Sequence, residues 1–254
     1  MAWLDAHAPF DPDSFDAPVI GIAATLGDHD SGTHHHRRGQ LLFTRQGCTR
    51  ITLAQQLCLL PPSRAAWIPP GIAHRAVMQH SVDYRSIYLT PTLCANLPQQ
   101  VCVMEVSPLL RAVLEAIAQA DFDINWQQGK YFHLLGLCLS EIRDAALQPM
   151  LLPLPSDKRL APLLACVEQL PPQLQVLQKQ IGASGRTIGR IFQRETGMSY
   201  QQWRQQWRLM RAIELLCTGR NIGYSAFELG FASDSAFIAF FKDMTGTTPG
   251  DWLR

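Results

Sequence analysis

A segment near the end of the chain occurs twice, and this repeat constrains the fold more than any other feature. Residues 182–203 align without a gap on residues 231–252, at a constant offset of 49 residues and with six identical pairs. In the first copy the identical residues are Ala183, Ser184, Phe192, Thr196, Gly197 and Trp203. Apolar character also repeats at Ile188 and Phe237, so each copy has one core-facing stripe. Two similar helical units are therefore predicted.

Each copy carries the residues that begin and end a helix. Ser184 and Ser233 can cap a helix N-terminus with their hydroxyls. Gly197 and Gly246 can end the same helix in the left-handed conformation. The spacing predicts one helix of about three turns in each copy.

A shorter helical stretch precedes each of these helices, over residues 174–181 and 225–229. A helix, a tight turn and a second helix make up a helix-turn-helix unit. An antiparallel helical bundle that happens to repeat is the alternative. A plain bundle does not account for Arg186, Arg190 and Arg194, which stand four residues apart on one side of the first helix. A guanidinium group can pair with guanine through two hydrogen bonds or clamp a phosphate.

Positive charge is concentrated in the same part of the chain. Residues 1–156 hold 10 Lys and Arg against 13 Asp and Glu, whereas residues 157–254 hold 12 against 8. Within residues 184–211 there are six arginines and one glutamate. This asymmetry favours a polyanionic partner, with a solvated helix face as the alternative. Residues 199–218 predict a helix that holds the two units at a spacing suited to successive major grooves, roughly 34 Å apart.

The N-terminal half has a different pattern. From Val19 to Leu89, short apolar runs are broken by turns at Gly47, Pro61 and Gly71, which predicts a sandwich or barrel of short strands. Residues 107–148 show the spacing of two amphipathic helices. Residues 148–156 contain three prolines, which favours a linker.

The expected fold class is α+β with two domains. Residues 1–148 should form a β-barrel with two helices, residues 149–156 a linker, and residues 157–254 an all-α tandem helix-turn-helix domain. The seven cysteines are odd in number and include no C-x-x-C pair, which predicts free thiols in a reducing compartment. The chain shows neither a secretory signal pattern nor a membrane-spanning apolar stretch, so a cytoplasmic protein without membrane association is expected.

The C-terminal motifs resemble those of a known family. They are Ser-x-Arg-Thr-Ile-x-Arg-Ile-Phe-x-Arg-Glu-Thr-Gly at 184–197, Arg-Leu-Met-Arg-Ala-Ile-Glu-Leu-Leu at 208–216, and Gly-Phe-Ala-Ser-Asp-Ser-Ala-Phe-Ile at 230–238. The closing Thr-Gly-Thr-Thr-Pro-Gly-Asp-Trp at 245–252 is similar to the terminal signature of that family. Together these motifs resemble the AraC/XylS family of transcription regulators, and the resemblance covers the C-terminal domain.

The resemblance implies contacts to double-stranded DNA from both recognition helices. The implied DNA-contacting residues are Ser184, Arg186, Thr187, Arg190, Arg194, Ser233, Ser235, Ile238, Ala239 and Lys242. In the first helix, Arg186, Gly189 and Arg190 occupy the base-facing positions of the family. Specific binding is then expected to depend on the two arginines.

The chain departs from the family at the second recognition helix. There Ser235, Ile238 and Ala239 occupy the base-facing positions, and the family commonly has an arginine where Ala239 stands. Gly189 in the first helix offers no side chain. We therefore expect the first unit to carry most of the base readout.

Two motifs in the N-terminal half resemble those of the cupin barrel, which is the effector domain of many regulators in this family. They are Gly32-Thr-His-His-His-Arg-Arg-Gly-Gln40 and Trp67-Ile-Pro-Pro-Gly-Ile-Ala-His74. In a strand, His34 and His36 share one face and Gln40 returns to that face. With His74, these residues could surround one ligand.

Three roles are open for this set. His34, His36 and His74 could hold a divalent transition metal, could line a site for an organic effector, or could be structural. The expected effector-binding residues are His34, His36, Gln40, Phe43, Trp67 and His74. Tyr84 and Tyr88 add aromatic character, with ordinary core packing as the alternative. Catalytic cupins have a carboxylate ligand where Gln40 stands, which argues against an enzyme.

The combined expectation is a transcription regulator controlled by a small-molecule effector, with no certain cofactor. The motif pair is similar to a nitroimidazole-responsive subgroup of the family, which implies an efflux transporter gene as target. A homodimer is expected, paired through a helix over residues 130–146, with packing on the protein's own barrel as the alternative. The residues of that seam are Leu134, Leu137, Cys138, Glu141 and Ile142.

Two other functions remain open at this stage. One is a metal-dependent cupin enzyme that carries a helical appendage. The other is a co-regulator that contacts RNA polymerase without recognising a DNA site of its own. A regulator of the expected kind could contact RNA polymerase as well.

Overall fold

The computed structural model describes residues 10–62, 64–148, 150–165 and 169–252. The chain divides into two compact units. The first is Met1–Ala54 with Cys58–Leu151, and the second is Gln55–Leu57 with Leu152–Arg254. The proline-rich segment expected as a linker includes a short strand, Leu151–Pro153, while Pro149 lies outside the described residues.

The first unit is built mainly from short antiparallel strands. They are β1 (Val19–Leu26), β2 (His29–Asp30), β3 (Gly39–Gln46), β4 (Thr49–Leu53), β5 (Gln56–Leu60), β6 (Arg64–Ile68), β7 (His74–Met78), β8 (Val82–Leu89), β9 (Cys102–Glu105) and β10 (Leu147–Gln148). One sheet has the order β1-β8-β3-β6-β9-β10, and the other places β5, β4, β7 and β2 side by side. The predicted N-terminal domain of short strands is confirmed, although pairing between the described strands does not close into a ring.

Strand β3 separates two environments. It pairs with β6 so that Leu41 lies opposite Trp67, and with β8 so that Gln40 lies opposite Tyr88. Side chains alternate along a strand, so neighbouring residues of β3 face opposite sides of the sheet. Leu41, Phe43 and Trp67 pack in one hydrophobic cluster with no exposed surface. Gln40 faces the other side.

Two helices cover that cluster, as the spacing of residues 107–148 predicts. They are α1 (Pro108–Ala118) and α2 (Gly129–Asp144). Helix α1 begins at Ser107, whose hydroxyl accepts a hydrogen bond from the amide of Leu110, and has a proline in its first turn. Its apolar face, which is buried in the cluster, consists of Leu110, Val113, Leu114 and Ile117.

Part of the α2 face that we expected to pair two copies packs in the protein's own core, which is the alternative that the sequence left open. Cys138 and Ile142 are buried in the cluster, and Leu134 and Leu137 pack against it. Glu141 accepts a hydrogen bond from Ser107 at 2.7 Å. An apolar helical stripe is buried against whichever apolar surface is nearest, and here that surface is the sheet. Cys138 and Ile142 are therefore not available to a second copy, whereas Leu134, Leu137 and Glu141 remain partly exposed and the homodimer stays a prediction.

The second unit contains seven helices among its described residues. After strand β11 (Leu151–Pro153) come α3 (Ala161–Ala165), α4 (Leu174–Ile181), α5 (Gly185–Thr196), α6 (Tyr200–Cys217), α7 (Ile222–Glu228), α8 (Asp234–Thr245) and α9 (Pro249–Trp252). The predicted all-α C-terminal domain is confirmed. Its core includes Trp203 and Ile213 from α6, Phe192 from α5 and Phe241 from α8, each at most 1% exposed.

The cysteines of the described part of the chain are free, as expected. They are Cys48, Cys58, Cys94, Cys102, Cys138 and Cys217, and Cys166 lies outside the described residues. Burial raises the pKa of Cys58 and of Cys138 to about 12, so both thiols stay protonated and act as small apolar side chains. None of the described helices is long and apolar enough to cross a membrane.

Candidate DNA-binding surface and ligand cavity

The first helix-turn-helix unit is formed by α4, a turn at Gly182 and α5. Gly182 has a φ of 64°, which lets the chain leave α4 in the left-handed conformation. Ser184 then begins α5, because its Oγ accepts a hydrogen bond from the amide of Thr187 at 3.2 Å. Gly197, at a φ of 70°, ends α5. These are the caps that the repeat predicts.

Helix α5 places its apolar and basic residues on opposite sides. The buried residues of α5 are Ile188, Ile191 and Phe192. Arg186 and Arg190 are exposed, and neither makes a hydrogen bond or ion pair with the described part of the protein. Arg194 is also exposed but pairs with Glu195. The guanidinium groups of Arg186 and Arg190 are therefore available to an external anion or base edge.

Glu195 forms hydrogen bonds with residues 156–157, which lead into the helices of this unit. Its Oε2 accepts hydrogen bonds from the amides of Ser156 and Asp157, at 2.8 and 3.1 Å, and from the Ser156 hydroxyl at 3.2 Å. These bonds and the ion pair with Arg194 lower the pKa of Glu195. The segment just before α3 is thus tied to the last turn of α5.

Two arginines of the basic segment are buried rather than directed outward. Arg204 donates from Nε to the Pro171 carbonyl at 2.7 Å, and Arg208 donates from Nε to the Leu229 carbonyl at 3.0 Å. Burial lowers the pKa of Arg208 to about 10, which still leaves it charged at neutral pH. The charge density of residues 184–211 therefore overstates the basic surface of this unit.

The second helix-turn-helix unit consists of α7, a turn at Gly230 and α8. Ser233 begins α8 by accepting a hydrogen bond from the amide of Ala236 at 3.2 Å. Among the residues predicted to contact DNA, Ser235, Ala239 and Lys242 are exposed and Ile238 is partly exposed. The outer side of α8 thus combines small or apolar residues with one lysine.

The first unit contains a cavity of about 510 Å³ on the side of β3 that Gln40 faces. Its polar lining includes His34, His36, Gln40, His74, Tyr84 and Tyr88. Apolar walls come from Ile22, Ala24, Leu26 and Met78, on strands β1 and β7. A concave site with apolar walls and a few convergent polar groups is typical of small-ligand binding.

Three histidines converge in this cavity, as their spacing predicts. One nitrogen from each of His34, His36 and His74 lies within 4.8 Å of the others. His34 and His74 exchange two backbone hydrogen bonds, at 2.9 and 3.0 Å, which fix the two segments beside each other. The ring centroids of His34 and His74 are 4.4 Å apart.

Each of these imidazoles contacts a backbone carbonyl through Nδ1. The distances are 3.1 Å from His34 to Gly32 O, 2.6 Å from His36 to Arg38 O and 2.8 Å from His74 to Ile72 O. A carbonyl oxygen only accepts, so Nδ1 must carry the proton. In a neutral ring, that tautomer leaves a lone pair on Nε2.

Burial keeps two of the three rings neutral. It lowers the pKa of His74 to about 4, and it lowers the pKa of His36 in the same direction. The Nε2 atom of His74 is buried and has no hydrogen-bond partner among the described residues. An unpaired buried acceptor of this kind is costly in a folded protein.

Gln40 occupies the centre of a polar network. Its amide nitrogen contacts the hydroxyls of Tyr84, Ser86 and Tyr88 at 3.2, 2.9 and 3.0 Å. Its Oε1 lies 3.3 Å from Nε2 of His36. Ser86 belongs to this network although the sequence did not single it out; the alternation of Tyr84, Ser86 and Tyr88 along one strand was the available signal.

Phe43 and Trp67, which we expected among the effector-binding residues, do not line the cavity. Both are fully buried in the hydrophobic cluster beneath α1 and α2. Phe43 is three residues from Gln40 on the same strand, and an odd spacing turns a side chain to the opposite face. Trp67 lies opposite Leu41 and shares its face. His34, His36, Gln40 and His74 are the members of the set that the structure brings together.

Comparison with known proteins covers both units. Residues 16–128 match the AraC-like ligand binding domain, and residues 177–254 match a helix-turn-helix domain. The HTH-type transcriptional regulator NimR of Escherichia coli is 27% identical over 249 residues, covering 96% of this chain and 90% of that protein. The HTH-type transcriptional activator RhaR of Klebsiella pneumoniae is 34% identical over 99 residues, which are 39% of this chain and 35% of that protein.

A solved structure of ToxT from Vibrio cholerae covers 94% of this chain and 98% of its own, at 12% identity and a TM-score of 0.40. A superposition that loose does not define a shared fold. The family assignment rests on the two domain matches and on the likeness to NimR over nearly the whole chain. The chain belongs to the AraC family of transcription regulators, with an N-terminal ligand-binding domain and a C-terminal DNA-binding helix-turn-helix domain.

Proposed function

We propose that this regulator recognises double-stranded DNA mainly through Arg186 and Arg190 of α5. The observation that carries the proposal is the state of these two arginines: both are exposed and unpaired within the described structure, on a helix capped at both ends. The corresponding side of α8 offers Ser235, Ala239 and Lys242, which supply one positive charge. Base readout from the second unit is expected to be weaker.

A selection experiment tests this proposal. Genomic DNA fragments retained by the full chain are sequenced, and the site found is then used in a binding assay at fixed salt. Arg190→Ala should weaken binding to that site more than binding to scrambled DNA. Arg143→Ala is the matched control, because Arg143 is an exposed arginine on α2 of the first unit. An equal loss of affinity for both DNAs would mean that Arg190 contacts a phosphate and does not read a base.

We propose further that the histidine-lined cavity binds the effector. Its volume of about 510 Å³ fits a small molecule. His74→Ala should abolish the change in DNA affinity that a ligand causes and should leave ligand-free DNA binding nearly intact. Loss of ligand-free DNA binding in a folded His74→Ala protein would contradict this division of roles.

Several expectations from the sequence stay predictions. They are a homodimer, contact with RNA polymerase, an efflux transporter gene as target, a cytoplasmic location and the absence of catalytic activity. The family assignment favours a regulator over a metal-dependent enzyme. Leu134, Leu137 and Glu141 on α2 remain partly exposed, so pairing of two copies through that helix also stays a prediction.

A further inference from the structure

We propose that helix α8 selects thymine in DNA through contact with the 5-methyl group of the base, and that Ala239 makes this contact. The inference rests on the proposed recognition of DNA by this domain and adds the base that the second unit selects. Arg190 of the first unit reads bases through hydrogen bonds, so the two units select different bases by different chemistry.

The internal repeat places Ala239 at the position that Arg190 occupies in the first unit. At the same offset of 49 residues, Ser235 corresponds to Arg186. Helices α5 and α8 each have 12 residues, begin at a serine cap and end at a glycine in the left-handed conformation. Equivalent positions of the two helices therefore face outward, with guanidinium groups on α5 and small side chains on α8.

Ala239 lies at the centre of the outer face of α8. Phe237 and Phe241 are fully buried, and with 3.6 residues per turn Ala239 is on the side of the helix opposite to both. Ser235 and Lys242, one turn away on either side, are exposed as Ala239 is. When this face enters a groove, Ala239 is the side chain nearest to the base edges.

The chemistry of this face matches one group of the major groove. Asp234–Thr245 contains no Arg, Asn or Gln, so it lacks the planar groups that pair with guanine or adenine through two hydrogen bonds. The C5 methyl group of thymine is apolar, and alanine is among the side chains that contact it. Ile238, partly exposed beside Ala239, extends the apolar surface. Contact with thymine removes these apolar groups from water.

The charges of α8 favour this apolar contact over binding to phosphates. The exposed charged residues of α8 are Asp234, Lys242 and Asp243, which are two carboxylates against one ammonium group. Neutralisation of phosphates supplies affinity that does not depend on sequence, and α8 contributes little of it. The affinity of α8 for its half of a site should therefore depend on the bases that stand there.

Site selection with two proteins tests the inference. Random double-stranded DNA is selected at fixed salt with the full chain and with its Ala239→Arg variant, which places a good helix former at an exposed position. We expect the full chain to prefer thymine at one position and the variant to prefer guanine there, because arginine pairs with guanine. Selection of the same bases by both proteins, or a base other than thymine at the position that changes, overturns the inference.

Deoxyuridine in place of that thymine removes the methyl group and leaves the base pair intact. The affinity of the full chain should fall about fourfold, because one buried methyl contact is lost. Ala239→Arg should be insensitive to the replacement. Lys242→Ala, on the same face, is the matched control: it should bind all sequences less tightly and keep the sensitivity, because a phosphate contact carries no sequence information. Equal affinity of the unmodified protein for the two DNAs, or full sensitivity in Ala239→Arg, overturns the inference.

The same measurements separate this inference from the proposed function. A protein that loses specificity in Arg190→Ala and yet tolerates deoxyuridine retains the proposed recognition by α5 and contradicts the selection of thymine by α8. Full specificity in Arg190→Ala, with a deoxyuridine effect that depends on Ala239, supports the role of α8 and contradicts that of Arg190. A protein that selects no sequence contradicts both.

Discussion

Arg208 stacks on the ring of Phe231, with its guanidinium carbon 4.2 Å from the ring centroid. The same guanidinium donates hydrogen bonds to the carbonyls of Leu229 and Gly230. Those residues form the turn between α7 and α8, while Arg208 belongs to α6. The helix between the two helix-turn-helix units thus holds the turn of the second one, satisfying carbonyls that the end of α7 leaves free.

Replacing Arg208 should therefore destabilise the second unit. Arg208→Ala is expected to lower the free energy of unfolding by about 3 kcal/mol, because buried carbonyls lose a charged donor. Arg208→Lys should recover only part of the loss, since an ammonium group can neither stack nor donate as a planar fork. Urea unfolding followed by circular dichroism measures both. Arg186→Ala is the control and should unfold as the unmodified protein does.

Arg190 should behave in the opposite way. Arg190→Ala is expected to leave stability unchanged and to weaken specific DNA binding by about 1–3 kcal/mol, with relaxed preference at one position of the site. Replacing Ala239 on α8 should cost less. Fluorescence anisotropy against the selected site and single-base variants measures the change. A larger loss from Ala239→Gly than from Arg190→Ala would assign base readout to the second unit.

Acid should destabilise the first unit through the buried histidines. The pKa of His74 is about 4 in the folded protein against an ordinary 6.5. As the pH falls through 6.5, the unfolded state takes up the proton first. Stability is then full above pH 6.5 and declines toward pH 4, by on the order of 3 kcal/mol from this residue.

His36, whose pKa is also lowered, adds to the effect in the same direction. Thermal melting of metal-free protein between pH 7 and pH 4 measures the decline. His74→Asn should flatten it, and His133→Asn, at an exposed position, should not. A profile that His74→Asn leaves unchanged would mean that this ring does not control the acid response.

Phe43 distinguishes the core from the cavity. Phe43→Leu should lower stability by about 1–2 kcal/mol and leave ligand binding unchanged, because the side chain packs beneath α1 and α2. Gln40→Leu, in contrast, should impair ligand binding. Thermal melting and ligand titration of the two variants give the comparison. Impaired ligand binding in Phe43→Leu would mean that Phe43 contributes to the effector site after all.

Local signals made the C-terminal half predictable from the sequence. Ser184 and Ser233 cap helices, and Gly197 and Gly246 end them, through contacts within a few residues. The spacing of these residues predicted the helices correctly, because each capping residue forms its hydrogen bonds with residues only a few positions away. The convergence of the three histidines was predictable for a different reason, since the motif resemblance supplied the pairing between distant segments.

Other features depended on contacts that the sequence does not reveal. An apolar face on α2 is compatible with a second copy or with the protein's own core, and the burial of Cys138 and Ile142 in that core depends on distant parts of the chain. Arg204 and Arg208 look like any other basic residues until the carbonyls they reach are known. Phe43 is different, because the alternation of a strand already placed it opposite to Gln40.

The bonds from Ser156 and Asp157 to Glu195 make the two recognition helices unequal. The tether is reinforced nearby, where Trp203 donates from its indole N–H to the Pro153 carbonyl at 2.7 Å. A displacement of residues 153–157, which lead into this unit, acts directly on the C-terminal end of α5. It reaches α8 only through the length of α6. In the DNA-binding mode proposed above, movement of the incoming chain should weaken the contacts of α5 with DNA before it weakens those of α8.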